Sequence, residues 1–211
     1  MTIEEMHRDF EIRLRTLNHV DKEFTSQEID YYLNLGESSL FEEILPVYDD
    51  DDRIKTILFP LLSYAEYKSF SSTTDRPTSV YVTLPTNFKV AKGERATITT
   101  SAGSINDVRV KSVSQDYYNL NIENPFKKPS DELVWRLDYP NPVNTTKQHE
   151  LAYGDGCTIT KYFLRYIKEL PGMSIFSSTD SSLHSMVHDD IVERAKNLAI
   201  QDLGIYNKEK E

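Results

Sequence analysis

The residue pair best placed for metal chemistry is His184 and His188, four positions apart, with Asp189 and Asp190 beside them. On an α-helix, residues four apart share a face, so the two imidazoles could bind one metal ion. In the zinc-protease motif a glutamate directly follows the first histidine, but here that position holds Ser185. The pattern therefore favours histidines on a helix surface or at an interface, and we expect no metal site and no cofactor.

A second group of possible ligands is the run of four aspartates at 49–52. An EF-hand loop needs alternating ligands, a central glycine and a terminal glutamate, and this run has none of them. Pro46 precedes the run and an apolar helical pattern follows it, so the carboxylates lie where they stabilise a helix N-terminus. We interpret the run as a helix cap.

The single cysteine, Cys157, directly follows Gly154-Asp155-Gly156. These three residues are typical of a tight turn, because no dinucleotide or P-loop pattern follows them. Cys157 would be a nucleophile only if a histidine such as His149 approached it in space, and a free thiol beside a strand is commoner. No Gly-x-Ser-x-Gly motif or zinc-ribbon spacing is present either, so we expect that the protein is not an enzyme.

Charge and composition limit the classes of partner. The formal net charge is -10, which disfavours a protein that grips nucleic acid through clustered Lys and Arg. An acidic surface could instead line a channel through which DNA slides, although most acidic proteins are simply soluble. The first five residues lack the features of a signal peptide, and no apolar run reaches the roughly 18 residues of a membrane helix. The sequence predicts synthesis in the cytoplasm and no membrane.

The segments at the two ends of the chain have helical spacing. Apolar residues recur every three or four positions, and Thr25 with Glu28 forms a capping box. These patterns predict helices over about 2–18, where Leu17 is the last apolar position, and over about 25–45, followed by a third helix kinked near Pro60. A C-terminal helix is predicted over 184–204, with Gly204 as its terminator.

Between these segments the apolar period changes to two, which is typical of strands. We predict strands at 80–84, 95–99, 108–113, 133–137 and 158–167, in a mainly antiparallel arrangement because no long helix separates them. The fold class is therefore α+β: an N-terminal helical part over 1–70, a β-rich part over 78–168 and the C-terminal helix. We expect these parts to form one compact domain.

Aromatic residues are frequent, with 13 Tyr and 9 Phe. Tyrosine and arginine on strand surfaces often anchor protein interfaces, although core packing is the ordinary role of any single aromatic residue. The apolar face of the C-terminal helix is a second candidate contact surface. The interface candidates are thus Tyr162, Arg165, Tyr166, Ile191, Ala195 and Leu198.

Short motifs occur in order along the chain. They are Ile3-Glu4-Glu5-Met6 with Phe10; Phe24, Glu28-Ile29-Asp30 and Leu33-Asn34; Tyr81-Val82-x-Leu84-Pro85; Asn124-Pro125-Phe126-Lys127-Lys128-Pro129 followed by Val134-Trp135-Arg136; Tyr162 with Arg165-Tyr166-Ile167-Lys168; and Leu183 with His188-Asp189-Asp190-Ile191-Val192-x-x-Ala195. The series resembles virion structural proteins of the capsid and neck gene blocks of crAss-like phages, podovirus-like phages of Bacteroidales.

The resemblance implies a neck ring protein, that is, a head-to-tail connector or portal adaptor in the virion. Such a subunit would form a twelve-fold ring with copies of itself, contact the portal and other neck or tail proteins, and let DNA pass without sequence-specific binding. Another tail or capsid-associated virion role, a monomeric protein-binding module and a small hydrolase with an unrecognised site are the alternatives.

Overall fold

A computed structural model describes residues 1–16, 23–72, 76, 78–140 and 146–203. The fold is α+β, as predicted, with N-terminal helices, a central and mostly antiparallel sheet, and a C-terminal helix. The chain forms two compact units. The helical unit comprises Met1–Leu61 with Leu170–Glu211, and the β unit comprises Leu62–Glu169. Whether the chain folds as one domain stays a prediction.

The helices are α1 (Ile3–Arg15), α2 (Ser26–Ile44), α3 (Asp52–Leu58), α4 (Gln115–Asn121) and α5 (His188–Asp202). Short 3₁₀ helices lie at Leu45–Val47, Phe59–Leu61 and Ser185–Val187. The strands are β1 (Leu62–Tyr67), β2 (Ser71–Ser72), β3 (Ser79–Thr83), β4 (Phe88–Thr100), β5 (Gly103–Ser112), β6 (Leu133–Pro140), β7 (Lys147–Ala152) and β8 (Thr158–Lys168).

In the helical unit, the first two helices begin where the sequence places their caps. Thr2 and Glu5 form a capping box at α1, and Thr25 and Glu28 form the predicted one at α2. The buried face of α1 carries Ile3, Met6, Phe10 and Leu14, the spacing expected of an amphipathic helix. Helix α2 packs closely on α5 at Gly36, where an added Cβ would lie 2.7 Å from the backbone oxygen of Ile191.

The β unit is one eight-stranded sheet in the order β1-β8-β4-β5-β6-β7-β3-β2. Every neighbouring pair is antiparallel except β5 with β6, which are parallel. Parallel neighbours need a crossover connection, and here α4 lies within it. Trp135 is fully buried beside the rings of Tyr117 and Tyr118, so α4 covers one face of β6.

The sheet curls until its two edge strands approach each other. β1 and β2 are opposite edges, yet Tyr67 ends β1 and Ser71 begins β2. Four residues span at most about 14 Å. Eight strands in a flat sheet would separate the edges by about 34 Å, because neighbours lie about 4.8 Å apart. The short link therefore requires a curled sheet that encloses its core.

Several element boundaries differ from the sequence predictions. Residues 62–67 and 71–72 are strands, so the helical pattern predicted through residue 70 ends at the 3₁₀ helix Phe59–Leu61. The third helix was predicted to continue past its kink near Pro60, but Leu62–Tyr67 pairs along its whole length with β8, and tertiary pairing decided its conformation. The predicted helix terminator Gly204 and the apolar position Leu17 lie outside the described residues.

Two further elements were not predicted. β7 was not predicted because its buried positions include His149 and Glu150, which are polar and interrupt the apolar alternation. Glu150 is fully buried because Arg76 and Ser79 both bind its carboxylate, at 2.8 Å each. α4 has only seven residues and begins at the Ser114 cap, too short for a helical period to show.

Candidate functional site

A buried ionic network crosses the interior of the β unit. Arg136 of β6 donates to Glu94 of β4 at 2.9 Å, and the Tyr162 hydroxyl of β8 donates to the other oxygen of the same carboxylate. The Tyr162 hydroxyl also lies 2.8 Å from Nδ1 of His149 on β7. Because β7 and β8 are not neighbours in the sheet, their side chains meet only because the sheet curls. These contacts therefore stabilise the curled sheet from its interior.

The electrostatics of the network follow from burial and charge. His149 is fully buried, and its Nε2 lies 3.3 Å from Asp138 without a hydrogen bond. Contact with His149 lowers the pKa of Asp138 below its ordinary value, against the effect of burial, and Arg136 adds to the lowering. Burial, and then the Glu94 carboxylate, raise the pKa of Tyr162, so the phenol stays protonated and can donate.

The thiol–histidine pair that a nucleophilic Cys157 would need does not form in the structure. His149 contacts Tyr162, Asp138 and the ring of Phe88, whereas the Cys157 thiol contacts the backbone oxygen of Asp155. Burial raises the pKa of Cys157, which reduces its thiolate fraction at neutral pH. The arrangement around His149 accordingly serves packing and closure of the sheet.

In the helical unit, polar residues on one face of α2 hold the extended segment that precedes α5. Asn34 accepts from the Met173 amide at 2.6 Å and donates to its carbonyl at 2.8 Å. Asp30 accepts from the Ile175 amide at 3.1 Å, and His7 lies 2.7 Å from its other oxygen. These hydrogen bonds provide partners for backbone groups that lie outside the helices and the sheet.

Glu37, one turn further along α2, is 1% exposed and continues this attachment. It accepts hydrogen bonds from the Ser181 hydroxyl at 2.6 Å and the Ser182 amide at 3.2 Å. Burial nevertheless raises the pKa of Glu37 above its ordinary 4.5, because desolvation outweighs these bonds. The ionised form is therefore disfavoured in the folded unit.

We expect Glu37 to make the helical unit lose stability as the pH rises. Its raised pKa means that the folded state binds more protons than the unfolded state above pH 4.5, so the loss begins there and ends once the folded carboxyl has ionised. Glu37→Gln should remove this slope in urea titrations followed by circular dichroism. Glu42→Gln, the same change at an exposed position of α2, should retain it. If the unfolding free energies of the native chain and of Glu37→Gln changed with pH in the same way, the pH dependence could not be assigned to Glu37.

The two histidines whose spacing could suit a metal ion take part in local structure. His184 precedes the 3₁₀ helix Ser185–Val187 and accepts from the Met186 amide at 3.3 Å. His188 is buried, with Nε2 3.1 Å from the Leu183 carbonyl and Nδ1 3.0 Å from the terminal amine of Met1. Within the described part of the chain, no group of three or more His, Cys, Asp or Glu side chains could hold a metal ion.

The aspartate run has the capping role that the sequence indicates. Asp51 precedes α3 and accepts from the Arg53 amide at 2.7 Å. Asp52, in the first turn of α3, pairs with Lys55 at 2.9 Å. Carboxylates at this end offset the partial positive charge of the helix N-terminus.

The predicted interface residues differ in exposure. Ile191 and Ala195 are fully buried where α5 packs on α2, and Leu198 is half-buried. Tyr162 and Tyr166 are buried within the β unit, whereas Arg165 is exposed. Their role in an interface stays a prediction.

Sequence reasoning did not identify the large apolar side chains that are exposed to solvent in the structure. Phe126 is 96% exposed and Leu120 is 81% exposed, both in the connection between β5 and β6. Further exposed apolar residues include Phe176, Phe59, Tyr31 and Tyr64. One feature of the sequence could have identified Phe126. It lies inside the turn sequence Asn124-Pro125-Phe126-Lys127, where the apolar periodicity of a helix or strand is absent.

Comparisons with known proteins identify the group to which the chain is related. None of the described helices is long and apolar enough to cross a membrane. No curated protein matches the sequence. A family model described as phage tail ring protein 3/4 of the crAss-like group matches residues 1–211, the whole chain. This match agrees with the resemblance noted in the sequence, and the chain belongs to the phage tail ring protein 3/4 family, a family of virion structural proteins.

Proposed function

We propose that the chain is the subunit of a ring in the head-to-tail connector, an adaptor beside the portal through which DNA passes during packaging and ejection. Membership of a structural ring family supports self-association, contacts with other tail or neck proteins and a role without catalysis. The finer assignment to the neck rests on the order of the sequence motifs. Twelve copies would match the symmetry expected of rings at the portal vertex.

The observation that carries this proposal is the set of large apolar side chains exposed on the isolated subunit. Phe126 and Leu120 of the β unit, and Phe176, Phe59 and Tyr31 of the helical unit, are all at least 60% exposed. Exposed aromatic and aliphatic side chains of this size are candidate anchors for contacts between proteins. In a closed ring each subunit uses two different surfaces, one toward each neighbour. Both units of the chain carry side chains suited to such contacts.

The net charge of -10 suits a wall along which DNA slides. Carboxylates facing the channel repel phosphates and reduce trapping of the DNA. The distribution of charge on the lumen decides this step. A basic lumen would remove the DNA-sliding part of the proposal while leaving the ring itself intact.

A ring further along the tail is the second candidate. The family description names a tail ring and does not name the portal, which favours this position as much as the neck. Such a ring would have the same subunit contacts but different neighbouring chains. Its symmetry would follow the tail and not the portal.

Cryo-electron microscopy of the source virions tests both candidates. We expect density for this chain as a ring directly below the portal, with twelve copies and with the exposed apolar side chains covered by neighbouring chains. A ring lower in the tail would replace the connector assignment with the second candidate. Absence of the chain from purified virions would reject both and favour a monomeric binding module.

A further inference from the structure

The outer face of strands β1, β8, β4 and β5 carries a cluster of basic side chains, although the chain as a whole is acidic. We propose that this face of one copy binds an acidic segment in the helical unit of a second copy, which makes the pair the repeating contact between neighbours in the ring. The inference rests on the proposed ring and adds the two surfaces that meet in it.

The pairing of the strands places these side chains on one face of the sheet. Arg95 of β4 lies opposite Phe163 of β8 and Arg109 of β5. Arg165, two residues from Phe163, lies opposite Tyr64 of β1. Residues directly opposite in an antiparallel pair share a face, and the residues of β8 between these positions are buried on the other face. The basic face consists of Arg95, Arg109, Lys161 and Arg165, with the rings of Tyr64 and Phe163.

The basic face is exposed and only partly neutralised. The side chain of Arg95 is 58% exposed and pairs with Asp107 at 2.8 Å. Arg109, Lys161 and Arg165 are also exposed, and none of them has an acidic partner within the described part of the chain. Arg95 and Arg109 lie directly opposite each other, an arrangement that destabilises a sheet when the charges are alike. An acidic partner on this face would offset that repulsion.

Aromatic side chains make the basic face suited to contact with a protein. The ring of Tyr64 is 6.2 Å from that of Phe163, and the Arg95 guanidinium lies 5.8 Å from the Phe163 ring. These residues and Arg165 line a pocket of ≈ 410 Å³, at a point where Gly93 has no side chain to fill the space. Tyrosine and arginine are the residue types enriched among interface anchors.

The two units of the chain differ in charge. The β unit, Leu62–Glu169, contains 14 Lys and Arg against 12 Asp and Glu, a net charge of +2. The helical unit contains 10 Lys and Arg against 22 Asp and Glu, a net charge of -12. Two copies that met through their helical units would repel each other, whereas the helical unit of one copy attracts the β unit of the next. Charge therefore favours a head-to-tail contact, the kind that closes a ring.

The acidity of the helical unit is concentrated around the end of α2. Residues 23–52 hold ten Asp and Glu and no Lys or Arg. Six of these ten lie within residues 42–52, and all six are exposed. Val47 lies among them and is 42% exposed, so this stretch also offers apolar surface. The acidic segment is defined as Glu42, Glu43 and Asp49–Asp52, together with Val47.

Capping explains only part of the acidic segment. Asp51 and Asp52 act at the start of α3, but Asp50 has no cationic partner within the described residues. An exposed segment with unpaired carboxylates and an exposed face with unpaired guanidinium groups are complementary in charge. Each copy has both surfaces, so the contact can repeat around a closed ring.

Reversal of one charge tests the basic face. Arg165→Glu should weaken association of the purified chain about tenfold, because repulsion replaces attraction at the contact, as measured by sedimentation velocity at low salt. Lys127→Glu reverses an exposed charge of the β unit outside the basic face and should change association much less. Equal effects of the two substitutions would overturn the inference.

Exchange of charges between two variants tests the pairing of the surfaces. One variant carries Arg109→Glu with Arg165→Glu, and the other carries Asp49→Lys with Asp50→Lys. Each variant alone should fail to associate, because every contact would bring like charges together. An equal mixture should associate, because the acidic segment of the first variant meets the basic face of the second, and the two reversed surfaces also attract. A mixture that stays dissociated overturns the proposed contact.

Zero-length cross-linking captures the contact even when association is weak. A carbodiimide joins Lys161 to a carboxylate only where the two groups touch. In a mixture of isotope-labelled and unlabelled native chain, mass spectrometry should find Lys161 of one form joined to the acidic segment of the other. Arg109→Glu with Arg165→Glu should greatly reduce these mixed peptides. Their absence from the native chain at high protein concentration overturns the inference.

Duplex DNA is the other anionic partner that a basic face could bind, and its signature differs. A DNA fragment would then bind the native chain, Arg109→Glu with Arg165→Glu would abolish that binding, and the mixture of charge-reversed variants would not associate. The net charge of -10 disfavours this outcome, because DNA repels an acidic chain. Observation of this pattern would overturn the contact between copies.

The failures of the two proposals are distinguishable. Virions that show a ring of this chain with the basic face against a different protein would reject the contact and keep the proposed function. Mixed-isotope cross-links from a chain that virions lack would keep the contact and reject the connector role.

Discussion

Replacing Arg136 with methionine is expected to lower the free energy of unfolding of the β unit by about 3–5 kcal/mol. Arg136 is 8% exposed, and it neutralises Glu94, whose side chain is 11% exposed, through a 2.9 Å ion pair. The substitution leaves the carboxylate buried without its charged partner, which is costlier than losing the ion pair itself. Urea unfolding followed by the fluorescence of Trp135, the single tryptophan, reports on this unit.

Arg95 supplies a matched control for this prediction. It also lies in the β unit and pairs with Asp107 at 2.8 Å, but both side chains are more than half exposed. Exposed pairs contribute less than about 1 kcal/mol, so Arg95→Met should have a small effect. The double variant Glu94→Gln, Arg136→Met should recover part of the loss, because a neutral amide replaces the unpaired charge. Equal losses for Arg95→Met and Arg136→Met would show that burial of the network contributes little.

Replacing Gly36 with valine is expected to destabilise the helical unit by about 3 kcal/mol, the upper part of the range for overpacking. An added Cβ would lie 2.7 Å from the Ile191 backbone oxygen and 3.0 Å from the Ala195 backbone nitrogen. Backbone atoms cannot rotate away, so α2 and α5 must separate. Helix propensity acts in the opposite direction, but by only a few tenths of a kcal/mol, so the clash decides the sign.

The same substitution at Gly93 controls for the general effect of removing a glycine. There an added Cβ would lie 3.6 Å from the Cβ of Arg165, an ordinary contact, and valine suits a strand. Gly93→Val should therefore change stability by less than about 1 kcal/mol. Circular dichroism during urea unfolding follows the helical unit in the Gly36 variant. Native stability of Gly36→Val would mean that α2 and α5 do not pack as closely as the structure shows.

Local sequence signals predicted most of the elements because their causes are local. Capping boxes and an apolar period near 3.6 locate α1 and α2, and a period of two locates β3, β6 and β8. The same signals failed at β1, β7 and α4. In β1 and β7 the pairing of distant strands decided the conformation, and α4 is too short to show a period.

The candidate site was less predictable than the fold. His149 was considered only as a partner for Cys157, and Arg136 only as part of a family motif. Trp135 and Arg136 illustrate why: they are neighbours on one strand, so their side chains point to opposite faces, and both are buried. Trp135 packs against α4, and Arg136 joins the ionic network. A sequence pattern cannot show that both faces of β6 are covered.

The sequence by itself determined the fold class, the acidic charge and, through its motifs, the family to which the chain belongs. The tertiary structure alone decided the curl of the sheet, the joining of Glu94 with His149 and Tyr162, and the exposure of Phe126. The physical reason is the separation along the chain of the residues that interact. Periodicity and capping depend on residues within a few positions of one another, whereas strand order, burial of charge and exposed surface depend on contacts between residues far apart in the chain.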